Sequence, residues 1–324
     1  MNRNLFKLTA SLCLALWAAT AFSQASYPVK PVKLVSPFPP GGSADFISRL
    51  LAAQFTAATG QSYVVEGKVG AGGNIGSDFV AKAPKDGYTL LLGNMASQAI
   101  NVSLYKNMPY DNLRDFAPIS MVASLSPVLV VNPNTSAKTV NELFALAKAK
   151  PGTLKYGSAG YGNSSHVAME WLRDLTGTQL VHVPYKGEGP AAADVLGGQI
   201  DMQIALMPTV IGHIRSGKLR AVAVGSVARS ALLPDVPTIA ESGFPQFSYT
   251  SWVCLLAPAG TPRDVIQVMN RETRKVVESA DFRERLQNTG ADPVASSPEE
   301  LGAFMKAEIE KWGVLVKKIG ATMD

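Results

Sequence analysis

Cysteine, histidine and charge are all scarce in this chain, and each scarcity closes off a class of function. Of 324 residues, two are cysteine, three are histidine and 17% are charged. His166, His182 and His213 are too scattered for a metal-ligand spacing, and one cysteine at most could join them, so no metal centre is expected. The basic residues alternate with acids, as in RETRKVVESADFRERL, which reads as a solvated helix face and excludes a nucleic-acid track. No apolar run reaches the ~20 residues a spanning helix needs. Catalytic signatures are missing too. GSAG sets its serine directly after a glycine, unlike the G-x-S-x-G elbow, and the glycines of GAGGNIG at 70, 72 and 76 miss the dinucleotide spacing. No carboxylate pair suits acid-base work, and His166 near Ser158 reads as a first-turn polar residue before it reads as a base. Neither a cofactor nor an enzymatic role is expected.

What is present begins with an export address. Residues 1–25 carry Arg3 and Lys7, an apolar stretch from Leu8 to Phe22, and small residues Ser23 and Ala25, the layout of a cleavable secretory signal. A lipid anchor is excluded because Leu12 precedes Cys13. The expected location is the periplasm. Cleavage leaves 28 basic and 25 acidic residues, a formal charge of +3. It also leaves Cys254 alone, so no bridge can form within the chain, and its setting in SWVCLLAP reads as a buried strand.

Short apolar runs then alternate with helical periodicity, the pattern of a parallel α/β sheet. Helix starts are marked by Ser43, by Thr139 with Glu142, by Thr261 with Pro262 at the first helical position, and by Ser297 with Pro298 and Glu300. In the helix from Ser43 to Thr59, Phe46, Ile47, Leu50, Leu51 and Phe55 form one stripe. The run ISMVASLSPVLVV, interrupted at Ser124, Ser126 and Pro127, reads as a crossing into a second lobe, and LLPDVPTIAESGFPQF followed by SWVCLLAP carries the chain back. Two α/β lobes are therefore expected: residues 26–124 with 246–324, and residues 125–245, hinged near Ser124 and Phe247.

Two loops match across the lobes. VSPFPPGGSADFISRL and LKYGSAGYGNSSHVAMEWL each run strand, glycine-rich loop, hydroxyl residues, helix. Both loops end at helix N-termini, where free N–H groups and the positive end of the dipole favour an anion. In an open α/β sheet they fall beyond the strands' carboxyl ends, where ligands bind. Each loop alone is equally well a tight turn with Ser43 or Ser164 as its cap; the pair suggests one acidic ligand held between two lobes.

These blocks, with GAGGNIGSDFVAKAPKDGYTLLLGN, VHVPYKGEGPAAADVLGGQIDM, GKLRAVAV and LLPDVPTIAESGFP, resemble in order the periplasmic solute-binding proteins of tripartite tricarboxylate transporters, the TctC/Bug type. The resemblance implies a type II periplasmic-binding fold, a small organic acid as ligand, transporter membrane subunits as partners, and a monomer. It assigns Gly41, Gly42, Ser43, Ser158, Ala159, Gly160, Asn163 and Ser164 to a carboxylate pincer, with Phe38 as an apolar wall, Asp45 as a loop brace, and Tyr185 and Lys186 as further ligand contacts. The chain departs from the family pattern at Glu66 to Lys68, and at Ala205, where relatives often carry an acid. That alanine, placed in the ligand wall by resemblance, implies a ligand whose far end bears no amine. Delivery to a transporter leads; a sensor docking on a receptor kinase and an exported α/β hydrolase are the alternatives.

Overall fold

The computed structural model describes residues 27–323, so the expected signal lies outside the described residues. Eleven strands are described: β1 (Val32–Ser36), β2 (Tyr63–Gly67), β3 (Thr89–Asn94), β4 (Phe116–Leu125), β5 (Pro127–Val131), β6 (Lys155–Ser158), β7 (Val181–Pro184), β8 (Met202–Leu206), β9 (Arg220–Val224), β10 (Ser251–Pro258) and β11 (Ala291–Pro293). They form two sheets, ordered β2-β1-β3-β10-β4-β11 and β7-β6-β8-β5-β9. Up to the extra edge strand β11, the two orders are the same pattern.

The sheets are not parallel throughout. β10 runs antiparallel to β3 and β4, β5 runs antiparallel to β8 and β9, and β11 runs antiparallel to β4. A parallel neighbour requires a crossover helix. β5 and β10 arrive from the other sheet instead, so they enter reversed. Only Ser126 separates β4 from β5, and β10 begins opposite the end of β4, with Ser251 paired to Leu125.

Among the described residues ten α-helices cover the sheets: α1 (Ser43–Thr59), α2 (Asn74–Ala81), α3 (Asn101–Leu104), α4 (Val140–Ala149), α5 (Ser164–Thr176), α6 (Glu188–Leu196), α7 (Met207–Arg215), α8 (Arg263–Glu278), α9 (Ala280–Gln287) and α10 (Pro298–Lys318). Their ends follow local chemistry. Thr139 accepts from the Glu142 amide at 3.2 Å, and Ser297 and Glu300 close a full capping box on α10. At α8 the expectation is off by one residue. Pro262 is the N-cap rather than the first helical residue, and the Thr261 hydroxyl donates to the Pro258 carbonyl at 2.8 Å.

The apolar stripe of α1 seats this helix on its sheet. Ile47, Leu51 and Phe55 are fully buried against Leu34, Leu90 and Val253, whereas Phe46 at the stripe's edge stays 36% exposed. Truncating Phe55 to alanine should cost about 3–5 kcal/mol. Cys254 lies mid-strand in β10, fully buried between Gly93 and Met121, and burial pushes its thiol far above its ordinary value.

Candidate functional site

Each glycine-rich loop joins the end of a strand to the start of a helix, and the two meet between the sheets. From β1 the chain passes through Pro37 to Gly42 into α1. The N-cap is Gly42, which offers no side chain to the helix, so the expected cap, Ser43, is left with its hydroxyl free for other partners. Asp45 braces this loop: its carboxylate accepts from the Gly41 amide at 3.2 Å and from Arg49 Nε at 2.8 Å.

The second loop is built differently. Asn163, not Ser164, caps α5, its Oδ1 accepting from the Ser165 amide at 3.2 Å, and Ser165 Oγ accepts from the Ala159 amide at 3.0 Å. Gly160 takes φ +118°, and a Cβ there would stand 3.0 Å from the Tyr185 carbonyl. Beneath the loop, Ser158 Oγ lies 2.6 Å from His182 Nε2, and the His182 ring stacks between Tyr156 and His166 at centroid distances of 4.8 and 4.3 Å. Burial, then His166 and Arg173, lower its pKa to about 3, so the imidazole is neutral and serves to hold the serine. Ser158 itself is fully buried, and His166 instead accepts from the Gly162 amide at 3.4 Å.

Gly42, Ser43, Asn163 and Ser164 line a common cavity of about 30 Å³, room for about one or two waters. A cavity of about 630 Å³ adjoins it, walled by Gly160, Tyr161, Tyr185 and Lys186. Phe38, Pro39 and Ala159 line both, so the two spaces share a wall between the lobes.

Ala205 is placed elsewhere. Its side chain is 1% exposed and packs with Val128, Val195 and Val210 in the core behind the second sheet, and it reaches neither cavity. Ala205 therefore forms no part of the ligand wall.

The acid in the cleft is Glu188, at the start of α6. It is 9% exposed, and its Oε2 accepts from Thr209 Oγ1 at 2.8 Å and Ser43 Oγ at 3.1 Å, while Oε1 accepts from the Leu206 amide at 3.4 Å. Burial raises its pKa, and the hydrogen bonds from Thr209, Ser43 and Leu206 oppose that rise. The carboxyl thus takes up donors at the N-terminus of α1 from across the cleft. Glu188, Thr209 and His182 escaped the sequence reading. An acid in the first turn of a helix is ordinary dipole chemistry, and no local pattern marks one aimed into a cleft.

The chain matches a known class of receptor. A family model described as "Tripartite tricarboxylate transporter family receptor" matches residues 47–321. The chain belongs to this family. Protein BugT of Bordetella pertussis is 40% identical over 306 residues, 94% of each chain. The solved structure of the periplasmic binding protein BugD has a TM-score of 0.89 at 35% identity, covering 92% of this chain and all of BugD. R. palustris Rpa4515, solved with adipate, gives the same TM-score at 33% identity and the same coverage. The receptor family accounts for the two α/β lobes with a cleft between them, the type II periplasmic-binding arrangement. Like its relatives, this family member is a solute-binding receptor in kind. Among the described residues no cluster of acidic, histidine and cysteine side chains could hold a metal ion, and no helix is long and apolar enough to cross a membrane.

Proposed function

We propose that this receptor captures a small organic carboxylate in the periplasm and delivers it to a tripartite tricarboxylate-type membrane transporter. The observation that carries the reading is the convergence of Ser43 and Ser164, each at a helix start, on one cavity between two lobes. Amides and hydroxyls there neutralise a carboxylate without an ion pair. Phe38 supplies an apolar wall, and Tyr185 and Lys186 in the larger space receive the body or a second acid group. The adipate carried by Rpa4515 supports this ligand class. The lobes, residues 26–124 with 246–324 and residues 125–245, close about the crossings near Ser124 and Phe247, where β10 pairs with the end of β4.

The Ser158–His182 contact offers little to a hydrolase. The serine is buried, and among the described residues no carboxylate hydrogen-bonds the imidazole to complete a triad. The test of capture is a thermal-shift screen after unfolding and refolding to strip bound solute, using aliphatic, hydroxy, amino and aromatic acids. A ligand at one hundred times its Kd adds about 2.7 kcal/mol to stability. No shift across the panel would sink the reading.

A further inference from the structure

We propose that Glu188 determines specificity in the cleft, selecting acids whose second polar group donates hydrogen bonds, a hydroxyl or an ammonium, over acids whose second group is another carboxylate. The inference deepens the capture reading and rests on it.

Three observations carry it. The first is position: Glu188 lines the same cavity as Gly42, Ser43, Asn163 and Ser164. The second is its role there. Both oxygens accept hydrogen bonds, from Thr209 and Ser43 on one and from the Leu206 amide on the other. In its ionised form, which an alkaline pH favours, the carboxyl can only accept further bonds. The third is the company it keeps. Among the described residues, no lysine, arginine or histidine lines that cavity with it.

Together these divide the pincer into unequal halves. The N-terminus of α1 already holds a carboxyl, so an incoming carboxylate is directed to the α5 side, at Ser164, whose hydroxyl donates to Asn163 Oδ1 at 3.2 Å and must turn to serve the ligand. What faces Glu188 is the next polar group along the ligand. A hydroxyl or ammonium there donates to a charged acceptor, whereas a carboxylate meets a like charge in a confined, poorly hydrated space with no cation between them. Lys186 in the neighbouring cavity can serve a second carboxylate only on a ligand long enough to pass Phe38.

The experiment is calorimetry at mildly alkaline pH with four acids of one chain length: butyrate, its terminally hydroxylated and aminated analogues, and succinate. The unmodified protein should bind the hydroxylated or aminated acid about tenfold or more tighter than succinate, the ratio expected of a hydrogen bond to a charged group. Glu188→Gln keeps the size and adds an amide donor, so succinate should gain on the other three. Glu188→Ala should erase the preference for the donor-bearing acids. Thermal melts of each variant check that it folds. Binding with an unchanged ranking in both variants defeats this inference alone. Succinate as the tightest ligand of the unmodified protein defeats it too. Failure of all four acids, and of the wider panel, defeats the capture reading and this inference with it.

Discussion

The two glycine-rich loops occupy equivalent places in lobes of the same strand order, yet they satisfy their helices in opposite ways. The second is self-sufficient: Asn163 caps α5, Ser165 bonds back to Ala159, and His182 holds Ser158 from beneath. The first has a glycine at the cap and receives its acceptor from Glu188 of the facing lobe. A helix start left without a local partner needs one from elsewhere. The first loop is therefore completed only when the lobes are together, while the second is complete on its own. On the closure proposed above, the second loop is the fixed jaw and the first senses the approach of the facing lobe.

The largest effect that tests this contrast comes from bulky substitutions at the two glycines. Gly160→Val forces a β-branched residue to φ +118° against the Tyr185 carbonyl, so the fixed jaw should lose about 1–3 kcal/mol of stability together with ligand binding. Gly42→Val has an ordinary φ of −97° and open space around its Cβ, so it should melt like the unmodified protein and lose binding alone. Equal melting shifts in denaturant titrations would break the contrast.

A smaller effect, about 1 kcal/mol, is expected from Asn163→Ala, which removes a side-chain cap whatever the lobes are doing. Ser43→Ala removes no cap, only the contacts to Glu188 and Thr209 across the cleft. It should leave chemical stability near that of the unmodified protein and enlarge the radius of gyration seen by small-angle scattering. If Ser43→Ala costs as much stability as Asn163→Ala, the two loops are not different in kind.

The smallest effect, bounded by one proton each, is in the pH dependence, and the two sides have opposite signs. His182 is neutral when folded, with its pKa lowered from 6.5 to about 3, so the unfolded chain binds the extra proton and this contribution is lost as pH falls from 6.5 toward 3. Glu188 has its pKa raised above 4.5, so the folded chain binds the extra proton and stability declines as pH rises from 4.5 through the folded value. Comparing urea melts of the unmodified protein with His182→Gln and Glu188→Gln across this range should remove a positive slope in the first variant and a negative one in the second. Slopes of the same sign would show that the two buried groups share one environment.

Much of the scaffold could be read from the sequence because its causes are local. Thr139 and Ser297 carry their capping chemistry within three residues, and α1 runs from Ser43 to Thr59 because its apolar spacing and Gly60 say so. Strand direction has no such local cause. Nothing in SWVCLLAP distinguishes a strand that entered from the other sheet from one that followed a helix, and the antiparallel course of β10 was invisible for that reason. The meeting of the two loops followed from their shared pattern, but the face of β8 did not. Met202 to Ala205 are all buried, so no polar alternation tells which side looks into the cleft, and Ala205 turned out to face the core. Glu188 is the converse case: its neighbours in sequence are unremarkable, and its partners Ser43 and Thr209 lie 145 and 21 residues away.

The buried thiol of Cys254 gives the molecule a clock of its own. It is the one cysteine among the described residues, it sits midway along the strand that brings the chain home to the first sheet, and it is flanked by β3 on one side and β4 on the other. A thiol reagent reaches it only when those strands part, so the pace of labelling counts excursions in which the middle of the sheet opens. Rocking of one lobe against the other leaves these strand pairings intact and should pass unrecorded. Labelling kinetics with and without solute therefore separate two motions that a melting curve merges: breathing of the framework, and opening of the mouth.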